Sequence, residues 1–387
     1  MMYKIWAEID LDALRANYRT IAAQVHRSSP DCRILSVVKA DAYGHGCALT
    51  VRALRAEGCD FFAVSSIWEA LQVREAAGRD ADILILGYTL PEDTASLYEN
   101  DIIQTVFSSE YAGTLSAEMT RLCAEGRLPR DASLRVHIKL DTGMNRIGFD
   151  TADAVRCAGE TARAGQLPHL RAEGMFTHFA CADEDDALSR ERTERQLARF
   201  DAVEAVLRAS GDCPAFLHVC NSAAGMHLPG AYKNGVRAGV ILYGMPPDGG
   251  VLPGYRPVMT LRTRIGHIHT LRAGESVGYG AAYTADRPMR IATVTLGYGD
   301  GFIRAYGGAS LYLPDGRSAP VVGRICMDQC MIDIGDADVR PGDIVTVFGG
   351  DGGARMEALA RAGGTINYEV TSIITPRVPR VAISSEV

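Results

Sequence analysis

Residues 34–46 read ILSVVKADAYGHG, a β-branched, mostly apolar run that stops abruptly at Lys39. Near-continuous apolar runs of this kind suit parallel strands buried on both faces. The run recurs as FFAVS (61–65), ILILG (83–87), IIQTVF (102–107), LRVHIKL (134–140), LRAEGMFTHF (170–179), FLHVCN (216–221) and VRAGVIL (236–242). Most are separated by charged, Ala-rich segments of helical period, such as 67–77, 110–125 and 187–209. An amphipathic stretch from Asp10 to about Val25 precedes them, with Leu11, Leu14, Tyr18 and Ile21 at helical spacing and Asp10 as N-cap. Eight strand–helix units predict an α/β fold with an N-terminal (β/α)8 TIM-type barrel. A doubly wound open sheet is the alternative that periodicity leaves standing.

Beyond Met245 the character changes. Pro246, Pro247, Gly249, Gly250, Pro253, Gly254 and Pro257 punctuate the chain. Strand-like runs follow at 258–271, 289–297, 319–334 and 343–349, with one short helix near 355–362. The organisation read here is a barrel over residues 1–245 and a mostly β domain over 246–387.

The chain has 387 residues, 47% hydrophobic and 22% charged, a composition that builds a large core rather than disorder. Lys+Arg of 40 against Asp+Glu of 47 gives a net charge of −7, which argues against a nucleic-acid or anionic-membrane partner. The start, MMYKIWAEIDLDALRANYR, lacks the apolar core of a signal peptide, and no run approaches about 20 apolar residues. These features predict a cytoplasmic protein. None of the ten cysteines forms a CxxC pair, the closest being Cys326 and Cys330, so they read as reduced, mostly buried thiols. His267 and His269 alternate along a strand-like run and HExxH is absent, so no metal centre is expected. There is no GxxxxGK(S/T), and Gly297-Tyr-Gly-Asp-Gly-Phe lacks dinucleotide-fingerprint spacing.

In a barrel of this type the chemistry sits at the carboxyl ends of the strands. The first run ends on Lys39, where a charged, unpaired amine costs several kcal/mol. A desolvated lysine also acquires the lowered pKa that Schiff-base chemistry needs; a snorkelling rim lysine is the bland alternative. The fifth run ends with Lys139, Asp141 and Arg146, the sixth with His178, and the seventh with Asn221 and Ser222. The eighth supplies Arg237 and Gly239. The Ser222 hydroxyl with the Gly239 and Val240 N–H groups suits a phosphate, which this fold commonly binds after its last two strands. A lysine plus a phosphate cradle is what pyridoxal phosphate (PLP) requires.

From about Tyr3 to Val381 the chain resembles the alanine racemase family. The resemblance is carried by AEIDLDALRANYR (7–19), VVKADAYGHG (37–46), KLDTGMNRIGF (139–149), FTHFACADE (176–184) and HVCNSAA (218–224). It continues through RAGVILYG (237–244), VGYGAAYTA (277–285), LGYGDGFIR (296–304), GRICMDQCMIDI (323–334) and INYEVTSIITPRVPR (366–380). It implies PLP on Lys39, with Lys39 as one catalytic base and Tyr279 as the other on the opposite cofactor face. It implies His178 over the pyridine ring, Arg237 on the pyridine nitrogen, and Asn221 in the cofactor site. Tyr43, Ser222, Gly239, Val240 and Tyr368 would hold the phosphate. Arg146 would reach the cofactor's phenolic oxygen and the substrate carboxylate, and Lys139 matches a lysine often carbamylated in the family. Met327 and Asp328 would bind substrate, and Tyr298 and Arg304 would line its access route. The resemblance further implies a head-to-tail homodimer with shared sites and a role supplying D-alanine for peptidoglycan.

Two departures stand out: Gly278 where the family commonly has Ser or Thr, and GYGDG where GYADG is frequent. A serine or broad-specificity racemase shares these blocks, and Tyr368 favours alanine. A decarboxylase of the same architecture is only loosely echoed at Cys326. A PLP-carrying homeostasis protein would have the barrel alone, against which residues 256–387 count.

Overall fold

The structure is a computed structural model describing residues 3–350 and 355–384, which group into two compact units. The chain opens with β1 (Ile5–Asp10) and a helix over Leu11–Ser28, whose start is capped by the Asp10 carboxylate accepting from Ala13 N at 2.7 Å. Eight further strands build one unit: β2 (Arg33–Val37), β3 (Phe61–Val64), β4 (Asp82–Ile85), β5 (Ile103–Val106), β6 (Leu134–Asp141), β7 (Leu170–Phe176), β8 (Phe216–His218) and β9 (Gly235–Ala238). Each pairs in parallel with the next, and β9 pairs with β2. The ring closes between β8 and β9 through the Cys220–Val236 bridge, with Arg237 N donating to Cys220 O at 3.1 Å. Closure removes the open-sheet alternative, since a doubly wound sheet would leave two free edges.

The helices between strands start where the sequence supplies a cap. Ser66, Ser108, Asp153 and Asp186 each accept a first-turn N–H, and Gly211 ends the helix Ala187–Ser210 in the left-handed region. Outward strand residues such as Ile34, Ile83, Val136 and Ile138 are buried with Leu54, Leu115, Met119 and Phe200 from the helices. Burial of each large side chain contributes about 1.5–3 kcal/mol.

The inward face is unusually polar. The register places Leu35, Phe61, Asp82, His137, Gly174, Phe216, His218 and Arg237 on it. Arg33 and Arg135 both hold Asp82, at 2.7 and 2.6 Å, and Arg135 also holds Glu173 at 2.7 Å.

The second unit contains residues 3–17, 43–49 and 243–384 of the described chain. Its strands are β1, β10 (Met259–Leu271), β11 (Met289–Val294), β12 (Ser310–Tyr312), β13 (Ser318–Val322), β14 (Cys330–Asp333), β15 (Ile344–Phe348) and β16 (Arg380–Ile383). They run in the order β11-β14-β13-β12-β15-β10-β1-β16, and β11 also pairs with β10. The opening residues, assigned from sequence to the barrel, therefore lie in the β unit. The physical reason is pairing: Ile5–Ile9 run antiparallel to Met259–Thr263, while Ala7–Asp10 run parallel to Arg380–Ile383. The run expected at 319–334 is two strands, because the segment 323–329 turns between β13 and β14. No helix among the described residues is long and apolar enough to cross a membrane.

Candidate active site

Lys39 follows directly on the apolar β2 run and opens a short turn with uncommon geometry. Ala40, Asp41, Ala42 and Tyr43 all have φ between 52° and 56°, a left-handed turn without a glycine. Each such residue costs roughly 1–2 kcal/mol, so surrounding contacts must hold it. Ala40 N donates to Glu69 Oε1 at 2.6 Å, and the other Glu69 oxygen accepts from Ser65 N at 2.8 Å. Burial, and then the Arg146 guanidinium, push the Lys39 ammonium below its ordinary pKa.

Three further cations and one histidine share the barrel unit's strand ends with Lys39. Lys139 is 3% exposed, its Nζ donates to Leu140 O at 3.0 Å, and burial with Arg237 and Arg146 pushes its pKa down to about 7. Arg237 is buried, and burial pushes its pKa down to about 10. Its Nη1 bonds His218 Nδ1 and O, both at 2.9 Å; its Nη2 donates to Thr177 O and Val219 O at 2.7 and 3.0 Å. Nε–H of Arg237 has no protein acceptor among the described residues. His178 Nδ1 stands 3.4 Å from Arg237 Nη2, and burial plus Arg237, Lys139, Arg146 and Lys39 push its pKa well down, leaving a neutral ring.

Arg146 sits on a loop shaped by Asp141, whose Oδ1 accepts from Gly143 N and Asn145 N at 3.0 Å each. The loop returns at Gly148, where φ is 133° and a Cβ would lie 2.5 Å from Asp141 N. Gln196 ties the loops after β6 and β7 together, bonding Thr142 Oγ1, His178 O and Ala180 N. At the other expected subsite, Gly239 N donates to Ser222 Oγ at 2.9 Å, and Asn221 caps the Ser222–His227 helix through Ala224 N. Val240 follows Gly239 and is buried.

The barrel unit thus brings together Lys39, Lys139, Arg146, His178, Asn221, Ser222, Arg237, Gly239 and Val240. Such a concentration of desolvated positive charge calls for an anionic ligand. The set fits PLP on this chain's own geometry: an amine with a depressed pKa, a hydroxyl beside a backbone N–H, and a buried guanidinium N–H without a protein acceptor.

The β unit holds the remaining expected residues. Burial pushes the Tyr43 phenol up in pKa, and its ring lies 5.2 Å from that of Tyr243. Tyr368 donates to Pro247 O at 2.6 Å. Tyr279 is 73% exposed and follows Gly278, whose φ of 72° and ψ of −174° define a conformation essentially restricted to glycine. That explains the first departure: the backbone here excludes Ser or Thr. The second departure has a cause as well. A Cβ at Gly299 would lie 2.3 Å from Arg377 Nη1, and Arg377 donates to Asp328 at 2.6 Å and pairs with Asp300 at 3.4 Å. Met327 is exposed and its carbonyl accepts from Gly299 N at 2.9 Å; Tyr298 N donates to Cys326 O at 3.0 Å. Arg304, also exposed, starts the turn 304–308. Arg377, His218, His137 and Glu173 were not singled out from sequence; for His137 the available signal was the alternation of polar residues within LRVHIKL, and for Glu173 and His218 a polar residue inside LRAEGMFTHF and FLHVCN.

Known proteins share this two-part fold. The model of the alanine racemase N-terminal domain matches residues 9–247, and that of the C-terminal domain matches residues 258–382. Alanine racemase 1 of Clostridium acetobutylicum is 40% identical over 98% of this chain and 96% of its own length. The alanine racemase of Desulforamulus reducens is 41% identical over 99% and 100%. Among solved structures, alanine racemase of Clostridium difficile superposes with a TM-score of 0.89 at 38% identity, covering 100% of this chain and 97% of that one. The Bacillus anthracis enzyme with bound L-Ala-P gives 0.88 at 32%, with the same coverage.

Proposed function

The chain belongs to the alanine racemase family, and from that premise we infer that it interconverts L- and D-alanine with PLP held on Lys39. PLP, when bound, supplies an electron sink that acidifies the Cα–H of an amino acid joined to it. The observation that carries the reading is the buried cation set around Lys39, with the Arg237 Nε–H left over for an acceptor.

Each residue's task follows from its chemistry. The depressed pKa of Lys39 leaves Nζ able to take and return a proton at one face of Cα. Tyr279 is the second acid–base group, serving the opposite face through its hydroxyl. Arg237 keeps its proton, so a ring nitrogen held by it would stay unprotonated and withdraw electrons less strongly, which would favour return of the proton to Cα over side reactions. His178 packs as a neutral ring. Ser222 Oγ, the N–H groups of Gly239 and Val240, and the Tyr43 and Tyr368 hydroxyls hold the phosphate, with Asn221 shaping that loop. Arg146 takes the substrate carboxylate, with Met327 and Asp328 beside the substrate. Tyr298 and Arg304 line its access route. Carbamylation would turn Lys139 from a neutralised amine into an anion able to orient Arg146.

Lys39 and Tyr279 lie in different units, and a head-to-tail homodimer is the assembly in which Tyr279 of one copy serves Lys39 of another. The ten free thiols suit the cytoplasm, where the D-alanine would feed peptidoglycan synthesis. Kinetics on L-alanine and L-serine test the assignment: kcat/KM for alanine exceeds that for serine, and parity or reversal overturns it. A Lys39→Ala variant loses the visible absorbance band of bound PLP; retention of the band would remove Lys39 from its role.

A further inference from the structure

Resting on the reading of Arg237 as donor to the cofactor's ring nitrogen, we propose that His218, His137 and Glu173 form a one-way relay through the barrel lumen. The relay holds the Arg237 guanidinium charged and oriented, with Glu173 as its distant counter-charge and positioning residue.

The direction of the relay follows from donor chemistry. A guanidinium only donates, so the 2.9 Å contact from Arg237 Nη1 makes His218 Nδ1 an acceptor. The single proton of a neutral His218 is then on Nε2, which lies 3.0 Å from His137 Nδ1. That bond makes His137 Nδ1 an acceptor in turn and leaves the His137 proton on Nε2, which lies 3.9 Å from Glu173 Oε1, a through-space contact beyond hydrogen-bond reach. The opposite polarity would set His218 Nδ1–H against a guanidinium N–H. Neutrality of both rings is the condition, and burial, reinforced by Arg135 and Arg237, pushes His137 down to about 3 and His218 well below its ordinary value. The titratable and charged groups facing His137 are Arg135, Asp82, Arg33, Arg237, His218 and Glu173; those facing His218 are Arg237, His137 and Lys139.

The fold makes specific provision for this line of groups. Gly174 opposes His137 in the β6–β7 ladder, and a Cβ there would lie 2.5 Å from the imidazole, so only glycine leaves room for the ring. The ladder slips between Val136 and His137, pairing Ala172 and then Gly174, which leaves Glu173 as an extra, unpaired residue. A bulge re-aims its side chain, and here the Glu173 carboxylate meets Arg135 and faces His137. Among the described residues Arg237 bonds only carbonyls and imidazoles, with no carboxylate in contact. A buried cation without a contacting anion depends on the dipoles aligned with it.

The test uses the full chain labelled with 15N-histidine, with signals assigned through His137→Asn and His218→Asn variants. In the apoprotein both rings are expected as neutral Nε2–H tautomers, unchanged from pH 5.5 to 8.5. A proton on Nδ1 of either ring, or titration of either within that range, overturns the proposal. In the PLP-loaded enzyme, Glu173→Gln is expected to shift the 15N signal of the labelled cofactor ring and lower kcat about tenfold with KM within twofold. Glu173→Asp restores most of both. An unchanged ring signal and kcat in Glu173→Gln would also overturn it. If Glu173→Gln does not fold, the tautomers of the unaltered chain still decide. Retention of the PLP band in Lys39→Ala would instead defeat the proposed function, so the two failures are distinguishable.

Discussion

Lys139 carries a titration that can be read as stability. Its amine is 3% exposed, donates to one carbonyl, and titrates at about 7 instead of 10.5 because of burial, Arg237 and Arg146. Between those two pH values the unfolded chain binds one proton more than the folded chain, so stability rises with pH. The slope is about 1.4 kcal/mol per pH unit, flattening below about 7. Lys139→Met removes the titrating group, so the variant's advantage over the parent grows by a little over ~2 kcal/mol from pH 9 to pH 7. At about 2–4 °C per kcal/mol, that is a rise of roughly 5–9 °C in the Tm difference. The assay is thermal unfolding of both apoproteins in CO2-depleted buffer at pH 7, 8 and 9. An equal Tm difference at all three values would refute the argued desolvation of Lys139. Bicarbonate adds a second arm: if Lys139 carbamylates, it raises the parent's Tm and leaves the variant's unchanged.

Two further substitutions follow from close approaches. Gly44 closes the left-handed turn at φ 81°, and a Cβ there would lie 2.1 Å from Thr371 O, a backbone atom that cannot yield. Gly44→Ala should therefore cost about 3 kcal/mol or more, read as a fall in Tm or loss of soluble protein. A Cβ at Gly299 would press on the far end of Arg377 at 2.3 Å and, less tightly, on the Met327 carbonyl oxygen at 3.1 Å, so Gly299→Ala should cost about 1 kcal/mol. The Arg377–Asp328 bond is what gives way, and the alanine KM should rise several-fold with Tm falling by only about 2–4 °C.

The eight barrel strands were legible because a strand buried on its outer face and walled by neighbours needs a near-continuous apolar run. The strand ends exposed Lys39, Lys139, Arg146, His178, Ser222 and Arg237 for the complementary reason, since a charge beside such a run has a task. What stayed hidden depends on long-range pairing or on unusual backbone. Nothing local in IWAEID (5–10) says that it joins strands more than 240 residues away. KADAY (39–43), Ala-rich and without glycine, carries no local sign of a left-handed turn, which Glu69 helps hold from elsewhere in the barrel unit. The lumen line from Glu173 to Arg237 was masked because its members alternate with apolar residues inside runs read as buried strand. The residues singled out for the second base and substrate groups came from the resemblance; composition and period alone would have left Tyr279 as an ordinary aromatic.

The two-base assignment is most directly tested by Cα–H exchange in D2O with Tyr279→Phe, started separately from L-alanine and D-alanine. The unaltered enzyme should exchange and invert both enantiomers. The variant should lose racemisation by about 100-fold or more, as expected for loss of a general acid–base group, while keeping Lys39-mediated exchange of one enantiomer alone. Full-rate racemisation in both directions would contradict it.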